Sequence, residues 1–344
     1  MEAPFFLIAH FVDMISGGGQ TGLSPTYGRG LALAGLFYFW AGAWFLYRFL
    51  SRYASSNTSF LTILLLLLGT NLFYYTFFQP AMSHVFSFCL FSVYLYLTDK
   101  IFHYDEKVTR HRYTDFIIYG LLCGLIVLVR PTNILVLLLP FYMLIKKKQG
   151  IINYTSENFF LIILSIFSAI LVWLPQMMYW HYLSGQWFFW SYSDESFRYW
   201  KEPKLFRVLF DAWNGWILYS PLVVIPLMYL IRERHRNLHF ERIYLYIFAI
   251  ATYIFASWWA WWFGGAFGHR SFVEYLAFLA MPLALCIEEI KLEKFYYKVG
   301  FVVVASLLCY YSLGLTFVYS APWDGDSWTY ESLWIQIKRI LFIG

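Results

Sequence analysis

Runs of apolar residues, each closed by a cluster of charge or a Gly/Pro turn, recur along this chain and leave few folds open to it. A helix needs ~20 apolar residues to cross a hydrocarbon core ~30 Å thick. Ten runs approach that length, at 28–47, 60–77, 85–97, 116–129, 134–145, 159–179, 216–231, 243–263, 272–287 and 299–318. The expected fold is all-α, a polytopic transmembrane helix bundle of about ten spans forming one membrane domain over 1–344. The third and fifth runs are short, and read as tilted, extended into flanking polar residues, or lining a cavity instead of lipid. Composition points the same way: with 60% of 344 residues hydrophobic and 13% charged, there is too little polar surface to cover a water-soluble globule.

The few charges are distributed unevenly. Five alternate loops, around Arg48 and Arg52, Lys100 to Arg112, Lys146 to Lys148, Arg232 to Arg242, and Lys291 to Lys298, carry 16 of the 25 Lys and Arg residues. The positive-inside rule puts those loops in the cytoplasm and the intervening ones outside. Most tryptophans fall on the outer side, which reads first as an interfacial belt and also suits ligand stacking. An external segment at 1–27, an external loop at 183–215 and an external tail at 320–344 follow. Residues 1–16 lack a basic region or cleavage site able to carry an external segment across. Within them Pro4 to Ile15 reads as a helix lying on the outer leaflet, and the chain is expected to be an N-terminally truncated form of a longer protein. Cys89, Cys123, Cys286 and Cys309 lie inside apolar runs without metal-ligand or disulfide spacing, and read as small core residues.

Four external stretches offer chemistry. Ser83-His84 opens a span and sets an imidazole near the outer surface, where it suits phosphate binding, proton transfer or metal ligation; helix capping is the plainer alternative. Arg130 ends a span ahead of Pro131 and offers a planar fork to an anion, although snorkelling alone would also put an arginine there. The turn 264–270 is glycine-rich and ends in His269 and Arg270, so that backbone N–H groups and a guanidinium converge on one anion. The 183–215 loop mixes aromatic rings with Asp194, Glu195, Glu202 and Asp211, a combination suited to sugars; Asp194, Glu195 and Asp211 are weak candidates for catalysis, since most acids in a solvated loop have no such role. The acidic, tryptophan-rich tail is read in the same way. No Walker loop, zinc-spaced cluster, Ser-His-Asp pattern or nucleic-acid motif occurs.

The sequence MSH at 82–84, VRPTN at 129–133, NGWILYSPL at 214–222 and FGHRS at 267–271 resembles the GT-C membrane glycosyltransferases, in the branch of protein mannosyltransferases and lipid A aminoarabinose transferases. The resemblance runs over most of the chain, on short motifs. It implies an inverting enzyme that moves a sugar from a polyprenyl-phosphate carrier to a lipid, glycan or protein acceptor on the external face, in a bacterial inner membrane. His84, Arg130, His269 and Arg270 are then expected to bind the carrier phosphate. The family's essential acid lies in the loop after its first span, which has no counterpart here, so the resemblance supplies no catalytic base and the chain is expected to bind the carrier while turning over poorly. No cofactor is implied, and participation of a divalent metal stays open. The alternative reading is a transporter or flippase of lipid-linked sugars, which calls for ionisable residues in mid-span and duplicated halves; the sequence offers neither, since charges such as Glu274 fall near span ends.

Overall fold

The computed structural model describes residues 1–19, 21–104, 112–146, 150–189, 195–232, 241–320 and 322–342. All regular structure among them is helical: α1 (Ala3–Ile15), α2 (Pro25–Leu50), α3 (Ser56–Leu68), α4 (Leu72–Phe77), α5 (Ser83–Asp99), α6 (Arg112–Val129), α7 (Leu138–Lys146) and α8 (Gly150–Glu157). The chain continues with α9 (Phe159–Ser184), α10 (Leu205–Phe210), α11 (Trp216–Tyr219), α12 (Val224–Arg232), α13 (Glu241–Ser257), α14 (Leu276–Leu292), α15 (Phe295–Val318) and α16 (Tyr330–Ile340). Local chemistry sets several of these ends. Ser55 Oγ accepts from the Thr58 N–H and Thr329 Oγ1 from the Ser332 N–H, each satisfying a donor that an α-helix leaves open. Pro25 opens α2, where a missing N–H is harmless, and Gly185 at φ 72° closes α9 in the left-handed region.

Among the described residues four helices are long and apolar enough to cross a membrane: Pro25–Leu50, Ser83–Phe102, Phe159–Ser184 and Phe295–Val318. Helix length and composition thus make this a membrane protein. The count of about ten crossings is not reached by full-length helices, because several apolar runs are interrupted. Run 60–77 breaks at Gly69–Asn71 into α3 and α4; run 134–145 begins as a 3₁₀ turn, Pro131–Leu137; run 216–231 breaks at Ser220-Pro221; and α13 stops at Ser257, short of 263. Non-helical backbone at membrane depth is tolerated only where protein buries it or a cavity solvates it.

The chain divides into two compact units, Met1–Ser92 with Leu209–Ile225 and Trp262–Gly344, and Val93–Val208 with Pro226–Trp261. In the first, α1 lies along α2, with His10 Nδ1 2.6 Å from the Tyr27 hydroxyl and Ser24 Oγ donating to the buried Asp13 at 2.7 Å. Leu7, Ile8, Phe11 and Ile15 remain exposed on α1. The core is α14, whose residues 276–284 are all buried. Phe91 sets its ring edge-on to Tyr275 and Phe278. In the tail that follows α15, α16 docks on α15 through a hydrogen bond from the Tyr310 hydroxyl to the Ile340 carbonyl.

In the second unit α6 and α9 make the main contact. Gly120 and Gly124 bring the α6 backbone so close to α9 that a Cβ at either would lie 2.0 Å from the Ser165 carbonyl oxygen or 2.6 Å from that of Ala169. Two glycines spaced this way are a helix-packing face suited to lipid, where close van der Waals approach replaces the hydrophobic effect. Lys100 and Asp115 pair at 2.8 Å, and the Tyr94 hydroxyl donates to the Val136 carbonyl at 2.9 Å. The loop after α9 is tied down by Tyr199 N–H to Ser257 O at 3.0 Å and Lys204 N–H to Ala256 O at 2.9 Å.

Candidate functional site

The breaks in the first unit's helices stabilise one another. Where Asn71 leaves α3, its N–H donates to Ser220 Oγ at 3.0 Å, and Ser312 Oγ donates to the Gly69 carbonyl at 2.9 Å. The Tyr75 hydroxyl donates to the Phe267 carbonyl at 3.1 Å. Gly268 takes φ 63° and a Cβ there would come within 3.1 Å of Tyr219, so the FGHRS turn needs glycine for both its conformation and its closeness. Trp216 stacks on Phe272 with ring centres 4.0 Å apart. Two apolar runs therefore open their helices where the FGHRS turn between two others meets them, and Asn71, Ser220 and Ser271 are fully buried there.

The ionisable groups of this cluster differ from the surface display the sequence suggests. His84 is 4% exposed, and its Nδ1 lies 3.1 Å from Oε2 of Glu274, which is 0% exposed. Tyr75 meets the His84 ring edge-on at 5.1 Å. His269 is buried between Phe263 and Phe272, at 5.0 and 4.9 Å. Arg270 is half-exposed beside Phe263, and its positive charge acts on the Tyr75 phenol. His84, His269 and Arg270 thus lie in one unit, His84 paired with Glu274 and the other two packed against Phe263. Sequence reasoning placed Glu274 at a span end and gave it no role. Its signal was available: it is the one acid in the run 272–287, and an acid in such a run is a functional hint.

The remaining expected residues fall elsewhere or act differently. Arg130 belongs to the second unit, half-exposed ahead of Pro131, with its N–H on the Ile126 carbonyl. In the same motif Asn133 is fully buried, and neither side-chain amide atom has a hydrogen-bond partner among the described residues. Glu195 is half-exposed in the second unit, and Asp194 lies outside the described residues. Asp211, in the first unit, accepts from the Trp213 N–H at 2.9 Å, a turn-forming role. The glycine turn requires a correction: the Gly265 N–H expected to meet an external anion donates instead to Asp324 of the tail, at 2.9 Å. An anionic ligand here relies on Arg270.

Tyr319, just beyond α15, lies beside the same turn; burial raises its phenol above the usual range, and the charges of Tyr74 and Asp324 add to the effect. Among the described residues no three His, Cys, Asp or Glu side chains gather as a metal-ligand set. The four cysteines are free thiols. Compared with known family models, curated proteins and solved structures, the chain matches none.

Proposed function

We propose that this chain is a membrane glycosyltransferase that takes a sugar from a polyprenyl-phosphate carrier and passes it to a lipid, glycan or protein acceptor on the external face. The shorter apolar helices complete a bundle of about ten crossings. One observation carries the reading: MSH, NGWILYSPL and FGHRS, far apart in the chain and three of the four segments behind the family resemblance, meet in a single buried polar cluster.

Each group in that cluster has a use in the transfer. Arg270, the half-exposed cation, neutralises the phosphate as it leaves the anomeric carbon. With His84 Nδ1–H directed at Glu274, Nε2 is the basic nitrogen, able to take the proton of an acceptor hydroxyl as its oxygen attacks. Glu274 fixes the tautomer and stabilises the imidazolium that forms. The chain thereby holds a base of its own, independent of the acid that the family carries in its first external loop.

The test is transfer of label from a radiolabelled polyprenyl-phosphate sugar by the full chain in nanodiscs with mixed acceptor lipids. Arg270→Ala is expected to lower the rate by about 10²-fold, the usual loss when a donor to a developing charge is removed. A second reading is favoured by the same buried pair, since a His–Glu couple inside a membrane domain also suits a proton-coupled carrier of lipid-linked sugars. Movement of carrier lipid across vesicles, driven by a pH gradient and without glycosidic product, would transfer the case to that reading.

A further inference from the structure

The tail segment 322–334, acidic and tryptophan-rich, folds back on the first unit. Trp323 is buried and stacks on Trp328 at 4.6 Å. Trp328 Nε1 donates to the Ala212 carbonyl at 3.1 Å and to the Tyr219 hydroxyl at 3.2 Å, while Trp213 Nε1 donates to the Trp328 carbonyl at 2.8 Å. These anchors fix Asp324 over the glycine turn, with Oδ2 accepting from the Gly265 N–H. A Cβ on Gly264 would lie 2.1 Å from Asp324 Oδ2 and 2.5 Å from Trp262 Nε1. The carboxylate and the indole N–H therefore stand side by side, in space that only glycine leaves open.

The backbone around them is strained. Phe263 sits at φ 46° and Asn214 at φ 61°, and Asn214 Nδ2 donates to the Trp262 carbonyl at 3.2 Å. Left-handed backbone at a bulky non-glycine residue persists where its surroundings impose it, and such residues gather at ligand sites. Trp213 and Trp262 meet edge to face at 5.6 Å, and both are half-exposed, as is Asp324.

We infer that Asp324, Trp262 and Trp213 form a saccharide-binding subsite. The carboxylate accepts from one sugar hydroxyl, the indole N–H donates to a neighbouring one, and the ring faces take the apolar face of a pyranose. A simple anion does not suit the place, because a carboxylate already occupies the Gly265 N–H and would repel it. The inference deepens the glycosyl-transfer reading, on which it rests for its class of ligand.

The experiment is saturation-transfer NMR of the full chain in nanodiscs, free of sugar-headed detergent, with a panel of methyl pyranosides as probes. Ring protons of at least one pyranoside should saturate. Asp324→Asn, which keeps the Gly265 acceptor but loses the charge, and Trp262→Leu should each weaken binding by about tenfold, the loss of one good polar or stacking contact. Trp262→Phe, which keeps a ring but loses the N–H, should fall between, and Asp326→Asn, at an exposed neighbour, should bind as the native chain does. Saturation by no pyranoside, or saturation indifferent to both Asp324→Asn and Trp262→Leu, overturns the subsite. Sugar binding that depends on Asp324 in a chain without transfer activity upholds the subsite and defeats the glycosyltransferase reading. Transfer from the labelled carrier at unchanged acceptor KM in both variants does the reverse.

Discussion

Glu274 is buried completely, and what makes its position tolerable is the imidazole of His84, 190 residues away in sequence. Removing one member of a buried pair costs about 3–5 kcal/mol, because the remaining charge has lost a partner in low dielectric. His84→Ala is therefore expected to lower the thermal midpoint in detergent well below that of native protein, with His84→Ala/Glu274→Gln recovering much of the loss. Equal midpoints for all three would show that the pair is no structural element. A second carboxylate gives a pH signature. Glu288, beyond the 272–287 run, is held at a pKa of about 2 by hydrogen bonds with the Thr58 hydroxyl first and Ser55 and Lys291 after it, against an ordinary value of 4.5. Being depressed on folding, it adds stability that is complete above 4.5 and lost as pH falls through about 2. The contribution is small at a partly exposed site. Native protein and Glu288→Gln should differ in thermal midpoint at pH 6 and converge as pH is lowered towards 2. Little of this was legible in the sequence, where His84 precedes one run, Glu274 stands in another, and neither pattern nor spacing joins them.

Elements were easier to read than their ends, since apolar runs announce helices while their interruptions depend on tertiary partners. Every apolar run in the sequence is wholly or largely helical, but nothing local tells that Gly69–Asn71 opens because Ser220 and Ser312 supply partners to the freed backbone. Gly120 and Gly124 on α6 were another missed signal, although their spacing is that of a helix-packing face. A side chain at Gly120 must push α9 away from the Ser165 carbonyl, and overpacking of that kind costs about 1–3 kcal/mol. Gly120→Ala should unfold at a lower temperature and Gly120→Leu lower still. Gly300 on α15 provides the control, as a Cβ there meets nothing within 4 Å. Gly300→Ala should be neutral or stabilising by up to about 1 kcal/mol through helix propensity alone. Similar losses at both positions would mean that α6 and α9 do not depend on close approach.

At the scale of the molecule, function depends on which side of the membrane each loop occupies. The helix α15 has 24 residues, about 36 Å at 1.5 Å per residue, which exceeds a ~30 Å hydrocarbon core and is long enough to set its two ends at opposite surfaces. Lys291, Lys294 and Lys298 lie at its start, and the aromatic tail with Asp324 follows its end. The positive-inside rule then predicts that this start faces the cytoplasm and the proposed saccharide subsite the outside. In a background with the four native cysteines replaced by alanine, Asp326→Cys should react with a membrane-impermeant maleimide in intact cells, and Lys294→Cys only after permeabilisation. Opposite labelling would invert the chain and set the Arg270 cluster against the cytoplasm. Transfer from an externally displayed carrier would then fail even with its site chemistry intact. Labelling of both from outside would remove α15 as a crossing, and with it the assignment of the lysine-rich loop to the cytoplasm.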